Sequence, residues 1–482
     1  MPVRRIQVQQ PKAETAVAQS AELQARFDAV RSELKVPEAF PPEVEAEAKA
    51  AAAAPELPER DETAVPFLTI DPPGSMDLDQ ALHIERAGDG YRVRYAIADV
   101  PAFVRAGGAV DAETRRRGQT VYAPDKRTPL HPTVLSEAAA SLLAGETRPA
   151  FVWDMTLAAD GEGTEVTVYR ALVKSTDRLD YDGVQKAVDD GSADERLMLL
   201  KEVGTRRIEL ERRRGGASLP MPEQEVTEDE RGHYRLSFRP PLEAEDWNAQ
   251  ISLMTGMAGA ELMMKGKVGI LRTMPAPDDN AVGRFRHASR ALGVEWRKET
   301  PYGEFLRTLD RTNPKHLALI HEATSLFRGA GYTPFDGELP DHPEHAAVAA
   351  PYAHVTAPLR RLVDRFGLVV CEALSAGSEV PSWAREALPS LPEVMATSDK
   401  VASGVERGCA DAVEAAALED RVGDVFDAMV VDRRDNGTAM LQIQDPAVLA
   451  TAHGAGELGT WVKARLTEAT VATGTLRFQT VP

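Results

Sequence analysis

An α+β fold is predicted for this 482-residue chain by three features of its pattern. Hairpin-like alternation begins near residue 67, helical periodicity dominates from roughly 282 to 422, and short strands return after 423 at the spacing of a small barrel. The predicted architecture is a small N-terminal helical module with its linker (1–60), a large central domain of mixed β-sheets and surrounding helices (61–422), and a C-terminal OB-type barrel (423–482).

Each element follows from local pattern. Residues 21–35 place Leu23, Phe27, Val30 and Leu34 at helical spacing, and an Ala/Glu-rich helix runs to about Ala54. The stretch PELPERDETAVP is a linker, rich in proline and charge. Beyond it come FLTI, an acidic loop, and the hairpin ALHIER–AGDG–YRVRYAIADV. A second hairpin joins FVWDMTLAADGEG to TEVTVYRALVK. Residues 181–215 are helical and charged, and 247–268 form an apolar, Met-rich helix. The tail predicts four strands: VFDAMVVD, TAMLQIQ, WVKARLTEA and TLRFQTV.

Composition bounds the function. Hydrophobic residues make up 43% and charged residues 27%, as in globular proteins. No early apolar stretch marks a secretory leader and no run is long enough to span a bilayer, so a cytoplasmic protein without a membrane partner is expected. Cys371 and Cys409 are not spaced as a metal pair and are expected to be reduced thiols. The net charge of −19 argues against a nucleic-acid partner, yet arginines cluster at 115–117, 206–207, 212–214 and 360–361. Solvated helix faces account for most such runs, although a buried channel needs only local positive potential.

The acidic loop TIDPPGSMDLDQAL sets Asp71, Asp77 and Asp79 within nine residues. An extended Asp77-Leu78-Asp79 puts both carboxylates on one face, and Pro72-Pro73-Gly74 allows Asp71 to fold back toward them. Clustered carboxylates repel unless a cation joins them, and they suit Mg²⁺ or Mn²⁺ and phosphodiester hydrolysis. An acidic turn between strands would look the same. The second informative segment is PYAHVTAPLRRLVDRFGLVVCEAL, in which Thr356 suits an N-cap and Pro358 an early helical position. That reading sets Arg360 and Arg361 in a first turn, where cations lose stability unless an anion such as phosphate is the partner. Exposed arginines beside Asp364 are the plainer alternative.

With TVYAPDKRTPLHPTVLSEAAASL, VKSTDRLDYDGV and HAAVAAPYAHVTAPLRRLVDRF, these segments resemble the ribonuclease II/ribonuclease R (RNB) family of 3′→5′ exoribonucleases, from about Phe67 to about Leu374. The resemblance implies a processive, Mg²⁺-dependent monomer that takes the 3′ end of single-stranded RNA and releases nucleoside 5′-monophosphates. It implies metal-binding and catalytic roles for Asp71, Asp77 and Asp79 and a phosphate-stabilising role for Arg360; Gln80 is either a neutral fourth ligand or faces away and bonds the neighbouring chain. It also implies RNA contacts for Tyr122, Tyr181, His345, Thr356 and Arg361. Core packing would explain either tyrosine alone.

Four departures stand out. Gln80 replaces a second consecutive aspartate; Leu219-Pro220 lies where a base-stacking phenylalanine is usual; Gln250 or Ser252 takes the place of a glutamate; and the helical module stands where cold-shock barrels are usual. The C-terminal barrel is S1-like but has seven acids against five bases, and Phe426, Trp461 and Phe478 serve either as its core or as an RNA surface. Three functions compete: the active exoribonuclease, an RNA-binding relative without hydrolysis, and a metal phosphoesterase acting on DNA or nucleotides.

Overall fold

The computed structural model describes residues 21–219, 223–228, 234–239, 241–310, 312–433, 438–443, 447–454 and 456–481. Helices α1 (Ala21–Glu33) and α2 (Pro42–Ala53) form where the spacing predicts them. They do not share a core. Leu23, Phe27 and Val30 of α1 pack with Val405, Cys409 and Phe478, whereas Val44 and Ala48 of α2 pack with Phe67, Val100 and Leu142. Two short helices offer each other too little apolar surface, so each buries its stripe against a larger neighbour. The linker is docked as well: Leu172 donates its N–H to the Arg60 carbonyl at 2.8 Å, and the Arg60 guanidinium lies 3.3 Å over the Tyr169 ring.

The next strands are β1 (Phe67–Ile70), β2 (Gln80–Ala87) and β3 (Gly90–Ala98). Helix α3 (Ala109–Arg117) and a hairpin of β4 (Val121–Tyr122) and β5 (Arg127–Thr128) follow, then β6 (Thr147–Leu157) and β7 (Gly163–Leu179). The two predicted hairpins are β2–β3 and β6–β7. The strands close into one barrel in the order β1-β2-β3-β6-β7, sealed by parallel pairing of β1 with β7. Alternate residues feed two cores: Tyr95, Ile97 and Trp153 enter one, and Ala96, Ala98 and Val152 the other.

Beyond the barrel come α4 (Tyr181–Asp189), α5 (Glu195–Arg214), the pair β8 (Glu223–Glu228) and β9 (Tyr234–Arg239), and α6 (Glu243–Gly266). Gly204 lets α5 and α6 close on each other, since a Cβ there would fall 2.5 Å from that of Trp247. Strand β10 (Val268–Thr273) leads into α7 (Asp279–Ala291), α8 (Tyr302–Arg307) and α9 (Pro314–Ala323), a satellite with Trp296 stacked on Phe305 at 4.7 Å. The chain returns as β11 (Gly331–Asp336), β12 (Glu344–His345) and β13 (Ala350–Pro351), short strands inside a stretch whose pattern predicts helix. Then come α10 (Leu362–Ala376), α11 (Ser382–Ala387) and α12 (Leu391–Leu418).

The tail forms a second closed barrel of β14 (Val425–Arg433), β15 (Thr438–Ile443), β16 (Val448–His453), β17 (Trp461–Thr470) and β18 (Thr475–Val481), in the order β14-β15-β16-β18-β17. Four strands are expected there and five are found; Val448–His453 is the addition, its alanines giving little β signal. Phe426 and Phe478 meet edge to face at 5.9 Å in the core, while Trp461 is 52% exposed. Cys371 and Cys409 are free and buried, and no described helix is long and apolar enough to cross a membrane.

Candidate active site

The acidic loop joins β1 to β2 on the rim of the first barrel. Asp71 leaves β1 with its N–H on the Leu179 carbonyl at 3.2 Å, and a turn through Gly74 (φ +83°) reverses the chain. Leu78 is fully buried, which turns Asp77 and Asp79 to the opposite side as an extended chain requires. Ser141 clips this segment: its Oγ accepts the Leu78 N–H at 2.9 Å and donates to the Met76 carbonyl at 2.6 Å.

The arginine segment differs from its expected form. Helix α10 begins at Leu362 with Arg361 as its N-cap residue, so Arg360, Arg361 and Thr356 all precede the first turn. Thr356 caps nothing there. The organiser is Asp364, fully buried, whose Oδ1 accepts the N–H groups of Thr356 (2.9 Å) and Ala357 (2.7 Å). Arg361 grips the same carboxylate with two bonds of 2.8 Å, so its guanidinium fastens this turn. Arg360 is different. Its single ion-pair contact among the described residues is Nε to Asp79 Oδ2 at 3.4 Å, and its side chain is 46% exposed.

The two segments are locked together. Asp79 Oδ1 accepts the Leu359 N–H at 2.7 Å, and the Leu359 carbonyl faces His131 Nδ1 at 3.1 Å. Burial pulls His131 down to about 4, so the ring is neutral and donates that proton. The β4–β5 hairpin adds Tyr122, whose Oη lies 3.4 Å from Asp77 Oδ2, and Arg127, whose Nη1 lies 2.7 Å from Asp77 Oδ1. Tyr181 opens α4, held by Asn248 Nδ2 at 3.1 Å, close enough for the Asp71 charge to act on it.

Gln80 is tied to its neighbours at both polar atoms. Its Oε1 accepts the Tyr95 hydroxyl at 2.5 Å and its Nε2 donates to the Thr356 carbonyl at 2.7 Å, so both polar atoms are engaged by the protein. Ser252 joins this bracket at 2.8 Å from Tyr95 Oη, whereas Gln250 is turned away onto Glu211 at 2.6 Å. Ser252 is therefore the one of the two that faces the site. Leu219 packs against the satellite helices, and Pro220 lies outside the described residues. Thr356 is buried and acts through its backbone; His345 is set back on β12, edge-on to Tyr352, with burial holding its pKa at about 4.

A test of Gln80 follows from these bonds. Gln80→Asp removes the donor to Thr356 and sets a carboxylate toward that carbonyl, which costs on the order of 1–3 kcal/mol. The melting temperature is expected to fall, with no leftward shift of a Mg²⁺ titration. An unchanged melt with tighter Mg²⁺ binding would restore Gln80 as a ligand.

Burial dominates the electrostatics of the site. Burial pushes the Asp71 carboxyl up to about 7, with Arg360 pulling it down and Asp77 pushing it up. Burial likewise raises Asp79 well above the usual carboxylate range, against the pull of Arg360 and the Leu359 amide. Hard carboxylate oxygens of this kind suit Mg²⁺ or Mn²⁺. Among the described residues no three His, Cys, Asp or Glu side chains yet converge closely enough to hold an ion. The donors fit a divalent cation in kind, with Asp77 Oδ1 paired to Arg127.

A barrel-borne acidic loop facing an arginine turn, followed by a second barrel, defines the class. Residues 59–373 match the RNB domain and residues 424–481 match the RNase II-type exonuclease C-terminal S1 domain; the chain belongs to the RNB family. It is 28% identical over 395 residues to Ribonuclease R of Escherichia coli strain K12, covering 76% of this chain and 48% of that protein. It is 30% identical over 328 residues to a probable exosome complex exonuclease RRP44 of Caenorhabditis elegans, covering 64% and 34%. The chain thus spans a third to a half of the length of these relatives. In structure it resembles Mycoplasma genitalium RNase R in complex with ribose methylated single-stranded RNA, with TM-score 0.85 and 17% identity over 96% of this chain and 78% of the other. It also resembles yeast Ssd1, a pseudonuclease, with TM-score 0.72 and 18% identity over 92% and 58%.

Proposed function

We propose that the chain is a processive 3′→5′ exoribonuclease, cytoplasmic and monomeric, that hydrolyses single-stranded RNA to nucleoside 5′-monophosphates with Mg²⁺. The observation that carries this reading is Arg360, a guanidinium whose terminal nitrogens have no ion-pair partner among the described residues, placed beside Asp79 and close enough to Asp71 to act on its charge. Its fork grips the non-bridging oxygens of the last phosphodiester and gains strength as charge develops there. Tyr122 and Tyr181 offer ring faces to the terminal nucleotides, a sequence-tolerant hold. Water attacks phosphorus, the P–O3′ bond breaks, and the new 3′ hydroxyl takes up a proton. What a divalent cation held by Asp71, Asp77 and Asp79 supplies is charge stabilisation at the phosphoryl oxygens and a less costly deprotonation of water.

A second reading, RNA binding without hydrolysis, is favoured by one observation: Gln80 brackets the fold where an acid is usual. Incubating a 5′-labelled single-stranded RNA with Mg²⁺ separates the two. A ladder shortening from the 3′ end supports hydrolysis, whereas a stable complex of full-length RNA supports the second reading.

The pH dependence of metal uptake tests the Asp71 role. With its folded value about 7, Asp71 is largely protonated below that pH, and binding a cation expels the proton. Mg²⁺ affinity is expected to rise as pH increases toward about 7 and then level off. The folded value is raised, so in metal-free protein the associated stability is full below the unfolded carboxylate range and is lost as pH rises through about 7. Calorimetry in two buffers of different ionisation heat counts the released proton. A flat affinity between pH 5.5 and 7.5 would remove Asp71 from the site.

A further inference from the structure

Arg127 holds the carboxylate that the metal reading needs. One terminal nitrogen sits 2.7 Å from Asp77 Oδ1 and the other 2.8 Å from Glu137 Oε1, so a single fork bridges two acids. The second Asp77 oxygen faces the Tyr122 hydroxyl at 3.4 Å. Arg127 thus occupies one Asp77 oxygen, and a cation drawn to this carboxylate competes with the guanidinium for its charge. We propose, on the reading given under Proposed function, that Arg127 is an internal competitor of the divalent cation for Asp77, retained by Glu137 when the cation takes its place.

Three features support this. Arg127 lies on a short hairpin directly opposite Tyr122, and the Ala123 N–H bonds the Lys126 carbonyl at 3.1 Å, so its backbone is held beside the acidic loop. The side chains of Arg127, Asp77 and Glu137 are 22%, 13% and 25% exposed, so solvent screens the bridge only in part. The fork is shared between two acids, so release from Asp77 still leaves Arg127 one partner. A guanidinium and a doubly charged ion repel each other across one carboxylate, so each weakens the other's hold on it. Glu137 gives the displaced Arg127 a partner, which keeps its charge from being stranded in a half-buried place.

The test is Mg²⁺ binding without RNA, followed by calorimetry and by the Mg²⁺-induced shift in melting temperature. Arg127→Gln is expected to bind Mg²⁺ about tenfold more tightly, the size of a typical coupling between competing ligands. Its metal-free melting temperature is expected to fall and its Mg²⁺-induced rise to grow. Glu137→Gln is expected to do the reverse, weakening Mg²⁺ by a few fold, because Arg127 then has Asp77 alone. Arg178→Gln is the control for general charge, since Arg178 acts on Asp71 through space and bonds the Ser75 carbonyl rather than Asp77. It is expected to change Mg²⁺ affinity less than Arg127→Gln does. Equal tightening in both arginine variants, or weaker binding in Arg127→Gln, overturns the competition while leaving the nuclease reading intact. Should Arg127→Gln fail to fold, Arg127→Met is measured in its place against the same expectation. Failure of the wild type and every variant to bind Mg²⁺ overturns the competition and the metal-dependent nuclease reading together.

Discussion

Asp79→Asn is expected to lower the rate of RNA hydrolysis by about a thousandfold or more, while RNA affinity changes by no more than a few fold. On the proposed function, the size follows from removing one of three carboxylates whose cation would contribute several kcal/mol of charge stabilisation, at 1.36 kcal/mol for each factor of ten. Asparagine is nearly the shape of aspartate, and its carbonyl can still accept the Leu359 N–H that Asp79 Oδ1 accepts at 2.7 Å. The contact between the acidic loop and the arginine turn is therefore kept. The rings of Tyr122 and Tyr181, proposed above to hold the terminal nucleotides, are untouched. One further sign is diagnostic. Burial raises Asp79 well above the usual range, so its charge is costly to the metal-free fold. The variant should then melt no lower than the wild type without Mg²⁺ and gain less when Mg²⁺ is added. Single-turnover rates, filter binding and paired melts check all three. Cleavage at near wild-type rate would mean that this loop is an acidic turn and nothing more.

Local pattern revealed much of this site and little of what holds it. The spacing of Asp77, Leu78 and Asp79 was enough to place two carboxylates opposite a buried leucine, because strand alternation is local. Asp364 was visible only as a neighbour of the arginines. Its capture of the Thr356 and Ala357 amides depends on a fully buried carboxylate meeting a turn that precedes its own helix. That turn displaces the helix start to Leu362, against an N-cap signal at Thr356 that local preference favoured. The Gln80 bracket was hidden for a different reason. Tyr95, Ser252 and Thr356 lie on β3, α6 and the arginine turn, and only barrel closure brings them to one amide. Arg127, His131 and Ser141 all fall within the motif TVYAPDKRTPLHPTVLSEAAASL, yet their partners Asp77, Leu359 and Leu78 lie 50, 228 and 63 residues away. No periodicity reports contacts at such separations.

Arg360→Lys is expected to slow cleavage about a hundredfold with little change in RNA affinity. Two arginines stand side by side in the sequence, and only their partners distinguish them. Arg361 is fastened to Asp364 by two bonds of 2.8 Å, so it cannot replace its neighbour without releasing the turn. Arg360 touches Asp79 at 3.4 Å through Nε alone, which leaves the planar pair of terminal nitrogens for two oxygens of one phosphate. Lysine keeps the positive charge and hence the long-range attraction for RNA, but it presents a point charge with no fork. The loss should fall mainly on the step in which charge grows on the phosphoryl oxygens, lowering kcat and kcat/KM together. Arg361→Lys provides the contrast. It should loosen the 356–361 turn and lower the melting temperature, because Asp364 keeps a cation but loses a two-point grip. Rates measured at saturating RNA, beside melts of both variants, separate chemistry from scaffold. A defect of Arg360→Lys confined to affinity would make this arginine a backbone clamp rather than a stabiliser of the transition state.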